Sequence, residues 1–388
     1  MESNAHWLQK QLRGTEALME KVVILPDGLE GLKEGIESEL GCCDLLVVCG
    51  GLGPTDDDIT REAIAEATGQ KLIFSDEAWK DVEEFFRKRE REVSPSNRKQ
   101  AFIPEGGEVI FNPRGTAPGI RVSQKGTTVL VVPGVPSEFR TMLENSLLND
   151  LAELPMGPVL KLWGIGESVL VDLIRSKKTL PPDLKWGTIA RPEGITIHLG
   201  ASFLERDDAD HLLEALKRDL AEYLVAEEDV SPVERLAELA EREGFTLGAA
   251  ESCTGGRLAE KFTSRPGSSQ YFLGAVVSYS NSVKSSVLGV ADASLEKHGA
   301  VSEDVALEMA RGALKALNVD LAMAITGIAG PDGGTEAKPV GTVHMAVAHR
   351  TGWEFHREGR FGGDRGDVRE RSCHGVCALA LEGLKARA

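Results

Sequence analysis

Short apolar runs of strand length alternate with segments of helical period in two separate stretches of this chain, and that alternation limits its fold more than any other feature. In the first stretch, "NAHWLQKQL" (4–12) reads as a helix, "EKVVIL" (20–25) as a strand, "LEGLKEGIESEL" (29–40) as a helix and "DLLVVCGG" (44–51) as a strand. A helix from about Thr60, a charged helix at 76–91 and strands "EVIFN" (108–112) and "TTVLVVPG" (127–134) follow. Strands that alternate with helices of this length predict a parallel sheet covered on both faces. From about 232 to the end the pattern returns, with strands expected in "FTLGAAE", "FLGAVVSYS", "DLAMAIT", "GTVHMAVAHR" and "WEFHREGRF". Between them, 151–229 reads as strand, helix, two strands and a long helix, a small α+β arrangement. The expected class is α/β: two doubly wound α/β domains, 1–150 and 230–388, joined by a small α+β module at 151–229. Ser231, Pro232 and Glu234 mark the second boundary as a capping box with proline at the first helical position.

With 388 residues, two or three domains are expected. The net charge of −17, without a basic patch interleaved with aromatics, argues against direct nucleic-acid binding. No apolar run has the length of a membrane span and the start lacks a signal-peptide pattern, so a cytoplasmic protein with no membrane partner is expected. The six cysteines read as free thiols; Cys373 and Cys377 beside His374 lack the second ligand pair of a zinc site.

"AESCTGG" (250–256) places Ser252, Cys253 and Thr254 where a strand gives way to a helix, followed by Gly255 and Gly256. Such a turn can expose a nucleophile and leave backbone N–H groups for an oxyanion or phosphate; equally, Ser252 or Thr254 can simply cap the helix. "YSNSVK" (279–284) offers Tyr279 and Lys284, a base for a serine if its amine is desolvated, or an ordinary surface lysine after a strand. "TGIAGPDGG" (326–334), with Gly327 and Gly330, suits an anion cradle or a plain connection. "FGGDR" (361–365) puts Arg365 at a helix start, where it could hold a phosphate in a bidentate fashion or point to solvent. All these stretches fall at strand ends, where open α/β sheets bind ligands.

Near the other end, "VVCGGLGPTDDDITREA" (47–63) carries Gly51, Gly53 and Thr55, able to approach a phosphate, and then acidic residues suited to a hard cation or to a helix N-terminus. "NPRGTAPG" (112–119) and "VVPGVPSE" (131–138) are Gly/Pro-rich loops; Arg114 and Lys99 are candidate phosphate contacts.

Together "AESCTGG", "YSNSVK", "GAVSEDVALEMARGA", "GIAGPDGG", "KPVGTVHMAV" and "FGGDR" resemble the C-terminal domain of the competence/damage-inducible CinA family across nearly all of 232–388. The resemblance implies a nicotinamide mononucleotide deamidase in pyridine-nucleotide recycling, needing no cofactor. Ser252 would be its nucleophile, Lys284 the base and Tyr279 an orienting or relaying group. Arg365 would hold the nucleotide, and Thr254, Gly255, Gly256, Gly327 and Gly330 would line the substrate.

The first stretch resembles the same family's amino-terminal domain, related to molybdopterin-binding proteins and associated with ADP-ribose pyrophosphatase activity. Carried over, the match makes Asp57 and Asp58 ligands of a divalent metal, with K+ as an optional companion. Gly51, Gly53, Thr55, Asn112, Gly115, Thr116 and Glu138, with Gly134, become substrate contacts. Family members begin with a strand and loop for which this sequence shows no counterpart before Glu2, Ser3 and Asn4. The expectation is weak or absent pyrophosphatase activity with deamidation retained. A homodimer is expected on general frequency. The contrasting expectation is a non-catalytic nucleotide- or molybdopterin-binding scaffold in competence or DNA repair.

Overall fold

The computed structural model describes residues 3–12, 15, 17–151 and 157–387. Glu2, and residues 152–156 next to the expected 150/151 boundary, lie outside the described residues. The chain divides into two compact units, Met1–Pro155 and Met156–Ala388.

In the first unit a four-stranded sheet runs in the order Leu45–Cys49, Thr127–Val132, Gly119–Gln124, Glu108–Ile110. Alternation along Thr127–Val132 sends Val129 and Val131 to one face and Leu130 and Val132 to the other. The first pair meets Ile36 and Ile64 of the helices Leu29–Glu39 and Thr60–Thr68; the second meets Leu8, Phe139 and Met142 of Ser3–Gln11 and Pro136–Ser146. The sheet is therefore covered on both faces, as expected, but it is not all parallel. Only the pairing of Leu45–Cys49 with Thr127–Val132 is parallel. The strand "GIRVSQ" was not anticipated, because polar residues interrupt its apolar pattern. It turns back antiparallel through Lys125 and Gly126, both at positive φ (51° and 87°), a geometry that closes two-residue hairpins.

The run "EKVVIL" is not a strand. No described strand pairs with it, and Ile24 within it and Leu18 just before it are 78% and 81% exposed. A strand exists through the partner that takes its N–H and C=O groups, and apolar sequence cannot substitute for one. Leu45–Cys49 correspondingly forms the edge of its sheet.

The second unit holds two sheets. Residues of the expected α+β module form an antiparallel sheet ordered Leu224–Ala226, Val159–Leu162, Gly194–Leu199, Trp186–Arg191, backed by the helices Glu167–Lys177 and Ala209–Asp219. The other sheet runs Phe272–Val277, Leu247–Glu251, Leu321–Gly327, Thr342–His349, Glu354–Arg360, its first three strands parallel. Along "LAMAI", Leu321, Met323 and Ile325 face the helices Pro232–Glu243 and Arg365–Lys385, and each such burial stabilises by about 1.5–3 kcal/mol. Ala322 and Ala324 face the helix Glu303–Leu317, itself lined with Ala306, Ala310 and Ala313, so small residues on both partners set a close approach. Ser231 and Glu234 form the expected capping box. This sheet is doubly wound, and its parallel strands end together at one rim.

Candidate active site

At that rim Leu247–Glu251 stops and the chain enters "SCTGG" before the helix Arg257–Thr263. Gly255 and Gly256 take φ of 58° and 92°, which a residue with a Cβ adopts only with strain. Glu251 is fully buried, and its carboxylate accepts the N–H groups of Gly256 (3.0 Å), Leu258 (3.1 Å) and Ala259 (2.9 Å). The N–H of Gly255 is bonded to the carbonyl of Ser252. The helix N-terminus and both glycines are thus satisfied from within, and they are not free to bind an oxyanion as the sequence suggested. The N–H of Thr254 has no hydrogen-bond partner among the described residues, that of Cys253 lies only against its own thiol, and the hydroxyl of Thr254 is buried without a partner. The donors nearest the nucleophile candidate are therefore the unspent ones.

Ser252 is 9% exposed, and its N–H is fixed by the carbonyl of Ile325 on the neighbouring strand (2.9 Å). Lys284 is 1% exposed, and its Nζ donates to Ser252 Oγ at 3.0 Å and to the carbonyl of Ser278 at 2.7 Å. Burial lowers the amine's pKa from its ordinary value, and no carboxylate is among the influences on it. Lys284 stands on an eight-residue helix, Asn281–Leu288, where the sequence suggested only a strand-ending turn. Ser280 caps that helix by accepting from the Val283 N–H. Cys253 points into the core, where burial pushes its thiol up to about 11 and removes the thiolate that its chemistry would need.

Tyr279 follows the Ser278 carbonyl that holds Lys284; it is 64% exposed and its hydroxyl accepts from Arg365 at 3.4 Å. The other guanidinium nitrogen of Arg365 donates to Gly330 O at 2.7 Å, so the "GIAGPDGG" loop and the last helix meet there. Asp364 caps that helix in a capping box with Asp367, which leaves Arg365 to project from its first turn. Gly327 ends its strand where an added Cβ would lie 2.8 Å from the Thr342 carbonyl. A continuous series of contacts joins Ser252, Lys284, Ser278, Tyr279, Arg365 and Gly330. Arg369, one turn beyond Arg365, donates to the Thr254 carbonyl at 2.5 Å and braces the turn. Its i+4 spacing from Arg365 was the available signal for it.

In the first unit the "GGLGPTDDD" turn is built around its own backbone. An added Cβ at Gly51 would lie 2.0 Å from Thr60 Oγ1, and one at Gly53 would lie 2.3 Å from Asp58. Asp58 accepts from the Thr55 N–H (3.0 Å) and hydroxyl (2.5 Å). Partial burial pushes its carboxyl up, but the two Thr55 bonds, Gly53 and Arg61 outweigh that and hold it below the usual range. Lys99 donates to the carbonyls of Thr55 and Asp58, and the buried Arg61 to those of Leu52 and Gly53. Gln100 reaches Leu52 O and Thr116 Oγ1, which ties the turn to the second loop. Asn112 donates to Glu138 (2.7 Å) and accepts from the N–H groups of Arg114 and Gly115, while an added Cβ at Gly115 would lie 2.0 Å from Glu138. Gly134 accepts from Asn4 through its carbonyl. Arg61 and Gln100 escaped the sequence reading because a helical Arg and a loop Gln carry no distinguishing pattern.

The acidic run expected to hold a divalent ion is in part used otherwise. Asp58 is engaged by Thr55, Asp57 is exposed, and no group of three His, Cys, Asp or Glu side chains able to hold a metal occurs among the described residues. The carboxylates of Asp57 and Asp58 do not make a closed all-protein site; they suit a hard cation shared with a ligand's phosphates.

Fold and site define a two-unit α/β protein with a buried serine–lysine pair at a strand end. Residues 230–385 match the family model described as "CinA C-terminal domain", and residues 1–153 match "Probable molybdopterin binding domain". A CinA-like protein of Thermotoga neapolitana is 38% identical over 388 residues, covering 98% of this chain and 93% of the relative. One from Geobacter sp. (strain M21) is 39% identical over 378 residues, covering 96% and 91%. A solved structure of the competence/damage inducible protein CihA from Agrobacterium tumefaciens, 40% identical, matches 40% of this chain and 96% of its own, with a TM-score of 0.37. The chain belongs to the CinA family of competence-damage inducible proteins.

Proposed function

We propose that the second unit is a serine amidohydrolase that converts nicotinamide mononucleotide to nicotinate mononucleotide and ammonia. The observation that carries the reading is Lys284 Nζ at 3.0 Å from Ser252 Oγ, both buried, with the amine's pKa lowered by desolvation. In its neutral form the amine keeps an N–H on the Ser278 carbonyl and accepts the Ser252 proton as Oγ attacks the carboxamide carbon. The oxyanion falls to the Cys253 and Thr254 N–H groups. Lys284, now charged, returns its proton to the departing nitrogen, the C–N bond breaks and ammonia leaves. Water then attacks the acyl-serine, giving its proton to Lys284, which passes it to Ser252 Oγ as the acyl C–Oγ bond breaks, and the released acid ionises to the carboxylate. Arg365, held between Gly330 O and Tyr279, takes the 5′-phosphate.

The first unit keeps a preorganised Gly-rich turn in which one aspartate of the expected pair is bound by Thr55, and ADP-ribose hydrolysis by this chain is proposed to be weak or absent. The test is ammonia release from nicotinamide mononucleotide and phosphate-bond hydrolysis of ADP-ribose by the same preparation, the latter with a divalent metal and K+. Ammonia without ADP-ribose turnover is expected. No ammonia would favour the scaffold reading, and brisk ADP-ribose hydrolysis would overturn the account of the first unit.

A further inference from the structure

A groove of about 940 Å³ opens in the second unit, formed by residues that the proposed reaction does not use. Its apolar side includes Trp353, Phe245 and Leu239. Trp353 and His349 stack face to face with ring centroids 4.8 Å apart and planes within 7°, so they line the groove as a two-ring stack. His349 Nδ1 is bonded to Thr351 Oγ1 at 2.8 Å, and burial lowers the ring's pKa, which favours the neutral, stacking form. The lining also holds Arg235, Arg242, Lys385 and Arg387, with Glu243 as its one carboxylate.

This concentration of positive charge stands on a chain of net charge −17. Its own counter-charges are few: Arg242 pairs with Glu243 (3.0 Å) in an exposed pair of the kind that contributes little, and the half-buried Arg235 with Glu238 (3.5 Å). Lys385 spends its ammonium on the Leu224 carbonyl (2.6 Å), and burial together with repulsion from Arg235 lowers its pKa against the opposing pull of Glu382. Two cations held near each other beside an aromatic surface are relieved by an anion attached to a planar ring, and the volume lies within the range of small-ligand sites.

We propose that this groove is a second ligand site, for a small aromatic molecule bearing a phosphate, with the ring against the Trp353–His349 stack and the anion between Arg235 and Lys385. The site is independent of the serine–lysine chemistry. Its natural class of ligand is a nucleoside monophosphate or a compound of the same shape and charge.

The test titrates AMP into the full chain by calorimetry, with inorganic phosphate and adenosine as half-ligands. Saturable AMP binding is expected, at least about tenfold tighter than either half, and weakened about tenfold or more by Arg235→Glu or Arg242→Glu, both at the rim. Ser252→Ala should leave that affinity unchanged. Trp353→Phe, which keeps an aromatic ring in place, should remove AMP quenching of the protein's fluorescence while the melting temperature stays close to that of the parent. AMP binding that survives the rim substitutions but is lost in Arg365→Ala would assign the nucleotide to the other pocket and overturn the proposal. Absence of AMP binding up to roughly 5 mM would overturn it as well.

Discussion

Replacing Glu251 by Gln tests the physical basis of the turn that carries Ser252. One carboxylate oxygen accepts from Gly256 and Leu258, the other from Ala259, all inside a fully buried pocket. Gln keeps the shape but offers one oxygen, so at least one backbone N–H then faces an amide NH2, and the negative charge at the helix N-terminus disappears. An orphaned buried donor costs about 1–3 kcal/mol, and loss of the charge–helix interaction adds up to about 1 kcal/mol. The local opening free energy of the turn should therefore fall by about 1–4 kcal/mol, which speeds amide exchange by roughly 5- to 1000-fold. Hydrogen exchange followed by mass spectrometry on a peptide spanning 252–263 reads this directly. Unchanged protection there in Glu251→Gln, with the rest of the unit equally protected, would refute the argument that the carboxylate holds the turn.

Three further expectations follow from the geometry. The deamidation kcat/KM should rise with pH and level off below 10.5, because the desolvated Lys284 gives up its proton earlier than a solvated lysine; a flat profile, or a midpoint at or above that value, contradicts its role as base. Glu370, bonded to His374 and to Lys261 despite its partial burial, has a carboxyl held at about 2 against an ordinary 4.5. A depressed folded-state pKa stabilises fully above the unfolded value and loses that contribution as pH falls toward the folded one. Glu370→Gln should accordingly destabilise by up to about 3 kcal/mol at neutral pH and by almost nothing near pH 2, as read by urea melts at the two pH values. Gly115→Ala drives a methyl group against Glu138 and should lower the melting transition of the first unit while leaving ammonia release by the second unchanged.

Much of the second unit was legible because the central strands of its larger sheet carry a full apolar signature. "DLAMAIT" alternates large and small residues along a buried strand, and "SPVE" announces its helix with three independent signals. Lys284 was legible as a residue but not as part of a helix. "NSVKSSVL" is short and rich in serine and valine, and only the cap at Ser280 and tertiary packing make it helical. The role of Glu251 was hidden for a different reason: a carboxylate before a nucleophile candidate looks catalytic, whereas its three bonds are structural. In the first unit the apolar run at 20–25 carried a strand pattern without a strand, because pairing depends on a neighbour that local sequence does not specify. The aspartates at 56–58 pointed to a cation by composition, but the one best placed is bound by Thr55.

The account rests on Ser252, and not the adjoining thiol, being the atom that attacks. Ammonia release from nicotinamide mononucleotide by Ser252→Ala and Cys253→Ala, each checked for an unchanged melting temperature, tests that most directly. The account predicts a loss of at least about 10³-fold for Ser252→Ala and retention of most activity in Cys253→Ala, whose thiol is buried and protonated. A Ser252→Ala protein that still releases ammonia at near the parental rate, or a Cys253→Ala protein that does not, would contradict it.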